Sequence, residues 1–528
     1  MEYFFNREHF IQKLEETKQW DIVIIGGGAS GLGAALDAAL RGYKTLLLEK
    51  FDFSSGTSSR STKLIHGGIR YLAQGNIKLV YEALRERGIL LKNAPHLVER
   101  KKFIIPFFSF FKGWFYWVGM KLYQILSAHL SLGRSGYLSK KEIIKELPEL
   151  KPDKLKGGVV YYDAQFDDAR LALSLAKGAA EKGAVVLNYF PVTSLIKEGN
   201  KLKGLVAKDT ETNKEYTIFS KSILNATGVF SDAIYNMDGE GEGSKKEVFL
   251  RPSQGSHIVL DKVFFKGDHP MVIPKTSDNR VLFTLPWYDH IIVGTTDKKI
   301  DNVSFNPKPL DEEIDFILKN FNQYFKKFPK KEDILSVFSG LRPLVSFNDD
   351  KIATKDISRA HKIIKSNSGL ISIIGGKWTT YRKMAEEVVN ELILRAQLPF
   401  KPSITAKTPI YGFDIFSEKQ KDHLNIYGSD KKYIKELIDK DPSLGNPILT
   451  SWPYLEAEVL WIVRCEMARN VEDVLARRFR ILFLDAKAAI SMAPKVASIM
   501  AKELNKDLNW RENQIEAFRT LALNYHLH

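Results

Sequence analysis

Asp21-Ile22-Val23-Ile24-Ile25-Gly26-Gly27-Gly28-Ala29-Ser30-Gly31 decides the fold, together with Thr45-Leu46-Leu47-Leu48-Glu49 that follows it. An apolar run ends in a glycine turn, a helix begins, and a second apolar run ends in an acid. That is a strand, turn, helix and strand in the order a dinucleotide requires. Gly26 permits the tight turn, Gly28 lets the backbone approach a pyrophosphate, and Gly31 lets the helix pack close to the strand. The helix N-terminus, with Ala29 and Ser30 in its first turn, offers free N–H groups and a positive dipole to the phosphates. Glu49, with Lys50 beside it, is placed to accept hydrogen bonds from a ribose. An ordinary glycine turn in an α/β domain is the alternative. The complete βαβ unit favours the dinucleotide.

Working outward, the 528 residues are enough for two or more domains, and 44% hydrophobic content fits a globular chain. The formal charge of +15 calls for an anionic partner or surface: lipid, substrate or nucleic acid. The excess is spread along the chain among acids, with no dense basic tail, so nucleic acid is not expected. Solvated surface lysine explains much of the rest. A single cysteine, Cys465, rules out an intrachain disulfide and argues against a thiolate metal site. No metal is expected, and a reducing compartment suits the chain. Residues 1–20 read as a short amphipathic lead-in helix, not a secretory signal. No apolar run reaches spanning length.

The stretch 51–75 is dense in hydroxyls and glycines: Ser54-Ser55-Gly56-Thr57-Ser58-Ser59-Arg60-Ser61-Thr62-Lys63-Leu64-Ile65-His66-Gly67-Gly68-Ile69-Arg70-Tyr71. Such a loop signals contacts to something polar, against the alternative of a loose surface loop. A helix follows over about 76–93. Residues 103–132 crowd Phe103, Phe107, Phe108, Phe110, Phe111, Trp114, Phe115, Tyr116 and Trp117 between lysines. We read this as a helix or loop lying in a lipid headgroup zone. A buried insertion or a dimer contact is the alternative. Helices are expected over 167–183 and 311–328, the latter from Ile314, Ile317, Leu318 and Phe321. Strands are expected near 184–190, 203–219 and through 248–300. Ser222-Ile223-Leu224-Asn225-Ala226-Thr227-Gly228 repeats the strand-to-glycine pattern. A strand over 370–374 leads through Gly375-Gly376-Lys377 into a helix ending near Arg395. Pro399, Pro402, Pro409 and Gly412 mark a boundary. We therefore divide the chain into 1–20, 21–398 and a helical 399–528.

Six motifs in this order resemble the FAD-dependent glycerol-3-phosphate dehydrogenases, within the D-amino-acid-oxidase-like flavoproteins. They are the glycine fingerprint, residues 63–72, Gly255-Ser256-His257, Gly294-Thr295-Thr296-Asp297, Ser339-Gly340-Leu341-Arg342-Pro343, and Gly375-Gly376-Lys377-Trp378-Thr379-Thr380-Tyr381-Arg382. The resemblance implies an α/β fold: a Rossmann-type FAD-binding domain interleaved with an antiparallel β-sheet substrate domain, plus a C-terminal α-helical domain. It implies FAD, bound without a covalent link, with cofactor contacts from Gly26, Gly28, Ala29, Ser30, Gly31, Glu49, Lys50, Ser58, Ser59, Ser61, Lys63, Leu64, His66, Gly67, Gly68, Ala226, Thr227, Gly228, Gly376, Lys377 and Thr379.

The substrate so implied is sn-glycerol 3-phosphate, a small dianion that needs a cationic pocket; Arg suits it through paired hydrogen bonds. By resemblance Arg342 and Arg359 hold the phosphate, although Lys355 could take the place of Arg359. Arg70 and Lys377 lie near flavin and substrate; Tyr71, Thr295 and Thr296 complete the pocket, or the threonines merely form a strand turn. Oxidation at C2 needs a base, and His257 is the first choice because its ordinary pKa is near neutral. A core histidine is the alternative. The Gly375–Lys377 turn aims a helix N-terminus at the flavin. The acceptor in this family is a membrane quinone in dehydrogenases and dioxygen in oxidases. Charge and the aromatic stretch favour quinone, with the protein peripheral on the inner face of the cytoplasmic membrane, often as a homodimer. An amine or amino-acid oxidase, or a flavin-binding protein without catalysis, are the competing readings.

Overall fold

A computed structural model describes residues 4–73, 75–127, 130–239, 250–278, 280–345, 360–415 and 422–527, with only the backbone of Arg70 and Ala73. Arg359 and Lys355 lie outside the described residues. The apolar runs of the fingerprint unit form the strands Trp20–Ile25 and Thr45–Leu48, both buried on two faces as parallel strands require. They sit in a sheet of order Lys362–Lys365, Ile371–Ile374, Glu215–Asn225, Trp20–Ile25, Thr45–Leu48, Val185–Leu187. The central pairings are parallel: Ile22 lies opposite Ser222 and Thr45, and Leu224 opposite Ile371. The helix Ala29–Leu40 packs between the helices Asp168–Glu181 and Tyr381–Arg395 and is buried along most of its length.

A second sheet is largely antiparallel. The long strand Ser253–Asp261 pairs with His290–Gly294 on one side and Ile334–Arg342 on the other. Val98–Phe107 pairs along its whole length with Gly157–Phe166. The chain passes between the two sheets several times, so the α/β arrangement is interleaved, as expected.

From residue 399 onward the regular elements of the described chain are all helices, joined by irregular segments and one isolated bridge, Pro447 to Leu455. These helices share one apolar core with the second sheet: Val259, Ile292 and Phe338 cluster with Val474, Phe479 and Met492. Buried ion pairs cross the same boundary. Asp52 accepts from Arg477 Nε at 2.6 Å and Arg478 Nη2 at 3.1 Å, and Arg170 pairs with Glu466 at 2.8 Å. Cys465 is buried here.

The aromatic stretch 103–132 is not one element. Phe103 and Phe107 belong to the strand Val98–Phe107 and are buried. A helix, Phe110–Leu126, then buries Gly113, Met120 and Tyr123. Its other face is open: Phe111 is 76% exposed, Trp114 62% and Ile125 70%. Among the described residues no helix is long and apolar enough to cross a membrane.

His96 lies in the turn before Val98–Phe107 and is buried against the segment after residue 398; a Cβ on Gly412 would meet its ring at 2.9 Å. Burial holds its pKa down to about 4. The unfolded chain takes up that proton near pH 6.5 and the folded chain only near 4, so stability from this group is complete above 6.5 and falls on acidification. Urea unfolding near pH 4.5 should show the wild type losing about 2.5 kcal/mol on this account. In His96→Gln that part of the acid loss should be missing.

Candidate active site

Four parallel strands end at one cavity of about 560 Å³, lined by Ile25 and Gly26, Leu48 to Lys50, Ala226 to Gly228, and Ile373 with Gly375 to Thr379. Ligands of open α/β sheets bind beyond the carboxyl ends of the strands, and this cavity is so placed. Gly26 has φ 109°, and a Cβ there would stand 2.7 Å from Ala226 O. A Cβ on Gly31 would stand 1.9 Å from Gly26 O. The close approach of helix and strand therefore depends on glycine at 31, which lies behind the cavity wall and not on it.

The N-terminus of the helix Ala29–Leu40 opens into this space, with Gly28, Ala29 and Ser30 on the wall. Ala29 N–H donates to Ser58 Oγ at 2.9 Å, which draws the hydroxyl-rich loop onto the helix. Glu49 accepts from Gly27 N at 2.6 Å and Phe51 N at 2.9 Å, and its carboxylate still borders the cavity. Burial, above all, pushes its carboxyl upward; the two N–H donors oppose this. A stripped glycine turn, a helix N-terminus and an acid beyond the next strand fit the pyrophosphate and ribose of a dinucleotide.

The far end is built on the second sheet. The register pairs Ser253 with Arg342, Gly255 with Gly340 and His257 with Phe338. Alternation puts all six on one face. Gly340 makes room for the Arg60 backbone, whose O a Cβ there would meet at 2.7 Å, and Gly255 leaves a gap between the charged and the imidazole rungs. The Arg342 guanidinium lies in it: a Cβ on Gly255 would be 2.0 Å from Nη2. Arg342 also donates to Ser253 Oγ at 3.1 Å and Thr295 Oγ1 at 3.0 Å. His257 is 2% exposed and stacks on Phe338 with centroids 4.6 Å apart. Burial first, then Lys63 and Arg342, hold its pKa well below the ordinary value, so it is neutral. Lys377 lies with Nζ 4.0 Å above the Tyr71 ring, and both border the cavity.

Ser61, Leu64, His66 and Thr379 also line the cavity. Other expected contacts lie elsewhere. Lys63 points into the core, where Nζ meets Asp168 at 2.7 Å and Ser59 O at 2.7 Å. Burial, partly countered by Asp168, lowers its pKa to about 7. Ser59 is likewise buried beside it. Gly67 N donates to Tyr123 OH at 2.7 Å, and Gly68 backs the Tyr71 ring. Thr296 is taken up by Glu313 and by Ser256 N at 2.8 Å, so it braces the strands. Thr295 stands behind Arg342. Arg70 lies in the short helix Ile69–Ala73. Residues not expected on the wall include Phe230 and Phe305, stacked at 3.9 Å, and Trp378, whose Nε1 donates to Ser58 O at 2.8 Å. Phe305 sits in an irregular segment without periodicity, so no pattern pointed to it.

Residues 21–382 match the FAD dependent oxidoreductase family, and residues 368–514 match the C-terminal domain of alpha-glycerophosphate oxidase. A mitochondrial glycerol-3-phosphate dehydrogenase of Bos taurus is 39% identical over 97% of this chain and 74% of its own length. A probable mitochondrial enzyme of that name from Dictyostelium discoideum is 40% identical over 92% of this chain and 81% of its own. The glycerol-3-phosphate dehydrogenase of Bacillus halodurans, solved with FAD, superimposes with TM-score 0.80 at 30% identity, covering 99% of this chain and 98% of that one.

The chain belongs to the FAD-dependent glycerol-3-phosphate dehydrogenase family. Within that family its cofactor is FAD, and the enzyme is an FAD-dependent oxidoreductase. The L-alpha-glycerophosphate oxidase of Mycoplasma pneumoniae, at 18% identity and TM-score 0.55 over 74% of this chain and 98% of its own, shares the fold.

For a dehydrogenase of this family the Gly31 contact has a direct consequence. Gly31→Ala forces helix and strand apart, a strain of roughly 1–3 kcal/mol or more. The purified variant should carry much less FAD, read as the ratio of flavin to protein absorbance. Gly119→Ala, in the helix Phe110–Leu126 away from the cavity, where a Cβ meets nothing within 4 Å, should keep it.

Proposed function

We propose that this enzyme oxidises sn-glycerol 3-phosphate to dihydroxyacetone phosphate and passes the electrons to a membrane quinone. The observation that carries the reading is the Arg342 guanidinium folded over Gly255 toward a buried, neutral His257. A dianion and a hydroxyl to be deprotonated need those two groups on one wall.

In this reading Arg342 grips the phosphate through charge-assisted hydrogen bonds. Arg359 remains a candidate for the same anion, and Arg70 for stabilising the alkoxide at C2. His257 takes the proton of the C2 hydroxyl. The phosphate offsets the Arg342 field that disfavours a protonated imidazole, so substrate binding makes His257 more basic. Lys377 faces the developing alkoxide. Bound FAD supplies the hydride acceptor.

Anaerobic glycerol 3-phosphate should bleach the flavin of the purified enzyme. Hydrogen peroxide formed in air at a comparable rate without quinone would replace the quinone with dioxygen. Arg342→Ala should raise KM about a hundredfold, from loss of a contact worth ~3 kcal/mol. Unchanged kinetics would remove it from the phosphate site.

The acceptor and the membrane are linked by the helix Phe110–Leu126. Phe110, Phe111, Trp114 and Phe115 point outward, Lys121 lies 5.7 Å from the Trp117 ring centroid and Lys156 5.9 Å from that of Phe110. Aromatic side chains with attendant lysines suit the headgroup zone, and a formal charge of +15 favours anionic lipid. We place the enzyme peripherally on the inner face of the cytoplasmic membrane. Replacing Phe111, Trp114 and Phe115 by Ser should release it from anionic vesicles in a flotation assay, while soluble-dye activity stays close to wild type. Retention on the vesicles would put the anchor elsewhere.

A further inference from the structure

Thr62 stands between Ser61 and Lys63 in the hydroxyl-rich loop. The residue lines the cavity, and its hydroxyl lies 3.0 Å from His257 Nε2. The other ring nitrogen, Nδ1, is sealed off and has no hydrogen-bond partner among the described residues. The ring itself is almost wholly covered, stacked on Phe338 and laid against Gly294. Exchange between His257 and the cavity therefore runs through Nε2, where Thr62 stands.

The position of Thr62 is held from both sides. Ser61 donates to Asp168 through N at 3.1 Å and Oγ at 2.6 Å. Lys63 Nζ meets the same carboxylate oxygen at 2.7 Å, and its backbone takes the left-handed φ of 62°. Arg480 Nη2 closes the far side of Asp168 at 2.8 Å. Both chain neighbours of Thr62 are thus fixed on one buried acid, which leaves its side chain little freedom. Preorganisation of this kind is what a proton-transfer group needs.

We infer that the Thr62 hydroxyl is the relay through which the C2 hydroxyl of the substrate passes its proton to His257. The inference rests on the function proposed above. The C2 O–H proton goes to Thr62 Oγ as the Thr62 proton goes to Nε2. The C2–H bond breaks with its electron pair leaving as hydride to the FAD used by the family, and the C2=O double bond forms. His257 ends with one extra proton, and Thr62 ends as it began.

The test compares wild type, Thr62→Val and Thr62→Ser as holoenzymes. Anaerobic stopped-flow should show Thr62→Val reducing its flavin about a hundredfold or more slowly, the scale of a lost acid–base step. Thr62→Ser should recover to within about tenfold, since the hydroxyl returns. Propane-1,3-diol monophosphate, which lacks the C2 hydroxyl, should perturb the flavin spectrum of all three proteins with similar Kd. Thr62→Val at wild-type speed, a serine variant no better than valine, or a lost analogue affinity that accounts for the slow rate would each overturn the relay. If the valine variant fails to fold, a proton inventory of wild-type reduction in mixed light and heavy water decides. A curved plot, from two protons in flight, supports the relay, and a straight one overturns it. A wild type that glycerol 3-phosphate does not bleach overturns the functional reading, and the relay with it.

Discussion

One buried carboxylate ties the site together. Asp168, at the start of the helix Asp168–Glu181, receives Ser61 N and Oγ, Lys63 Nζ, Arg480 Nη2 and Ala169 N. Burial alone would raise its pKa, yet Lys63 and Arg480 hold it below the ordinary value. A lone buried charge is costly, and such an ion is stable only when every lone pair finds a donor. Here the donors come from three distant parts of the chain. The hydroxyl-rich loop, the first-sheet helix and the C-terminal segment meet at a single acid, and the cavity wall takes its shape from that meeting.

Around this node the two sheets divide the work. The parallel sheet brings four strand ends and a helix N-terminus to the cofactor. The antiparallel sheet sets His257 and Arg342 on one face, with Gly255 clearing the space between them. Each sheet handles what its geometry suits. Parallel strands converge dipoles and loops at one edge, and a flat pleated face holds side chains at regular intervals.

How much of this was legible in the sequence depends on the range of the interaction. The glycine fingerprint is local backbone physics, so Gly26, Gly28 and Gly31 could be read with their purposes, and the interleaved α/β fold followed. The aromatic stretch was read as one piece because crowding hid a change of period. Phe103 and Phe107 follow the strand repeat inward, and after Ser109 the helical repeat turns Phe111 and Trp114 out. Lys63 carried a motif signal toward the cofactor, but its partner stands 105 residues away, so its burial could not be foreseen. Thr296 likewise answers to Glu313, 17 residues on in the helix Asp311–Tyr324. Thr62 went unnoticed because its meaning comes only from a histidine brought in by another sheet.

The shared core of the second sheet and the C-terminal helices bears on how such an enzyme can change over time. Arg477 and Arg478 are the counter-ions of Asp52, and Arg480 shares Asp168 with Lys63; both acids belong to the cofactor half. Shuffling the tail for another, or shedding it, would leave Asp52 without its arginines and Asp168 with Lys63 as its one cation among those described. The tail and the body are thus held to each other by charge as well as by packing.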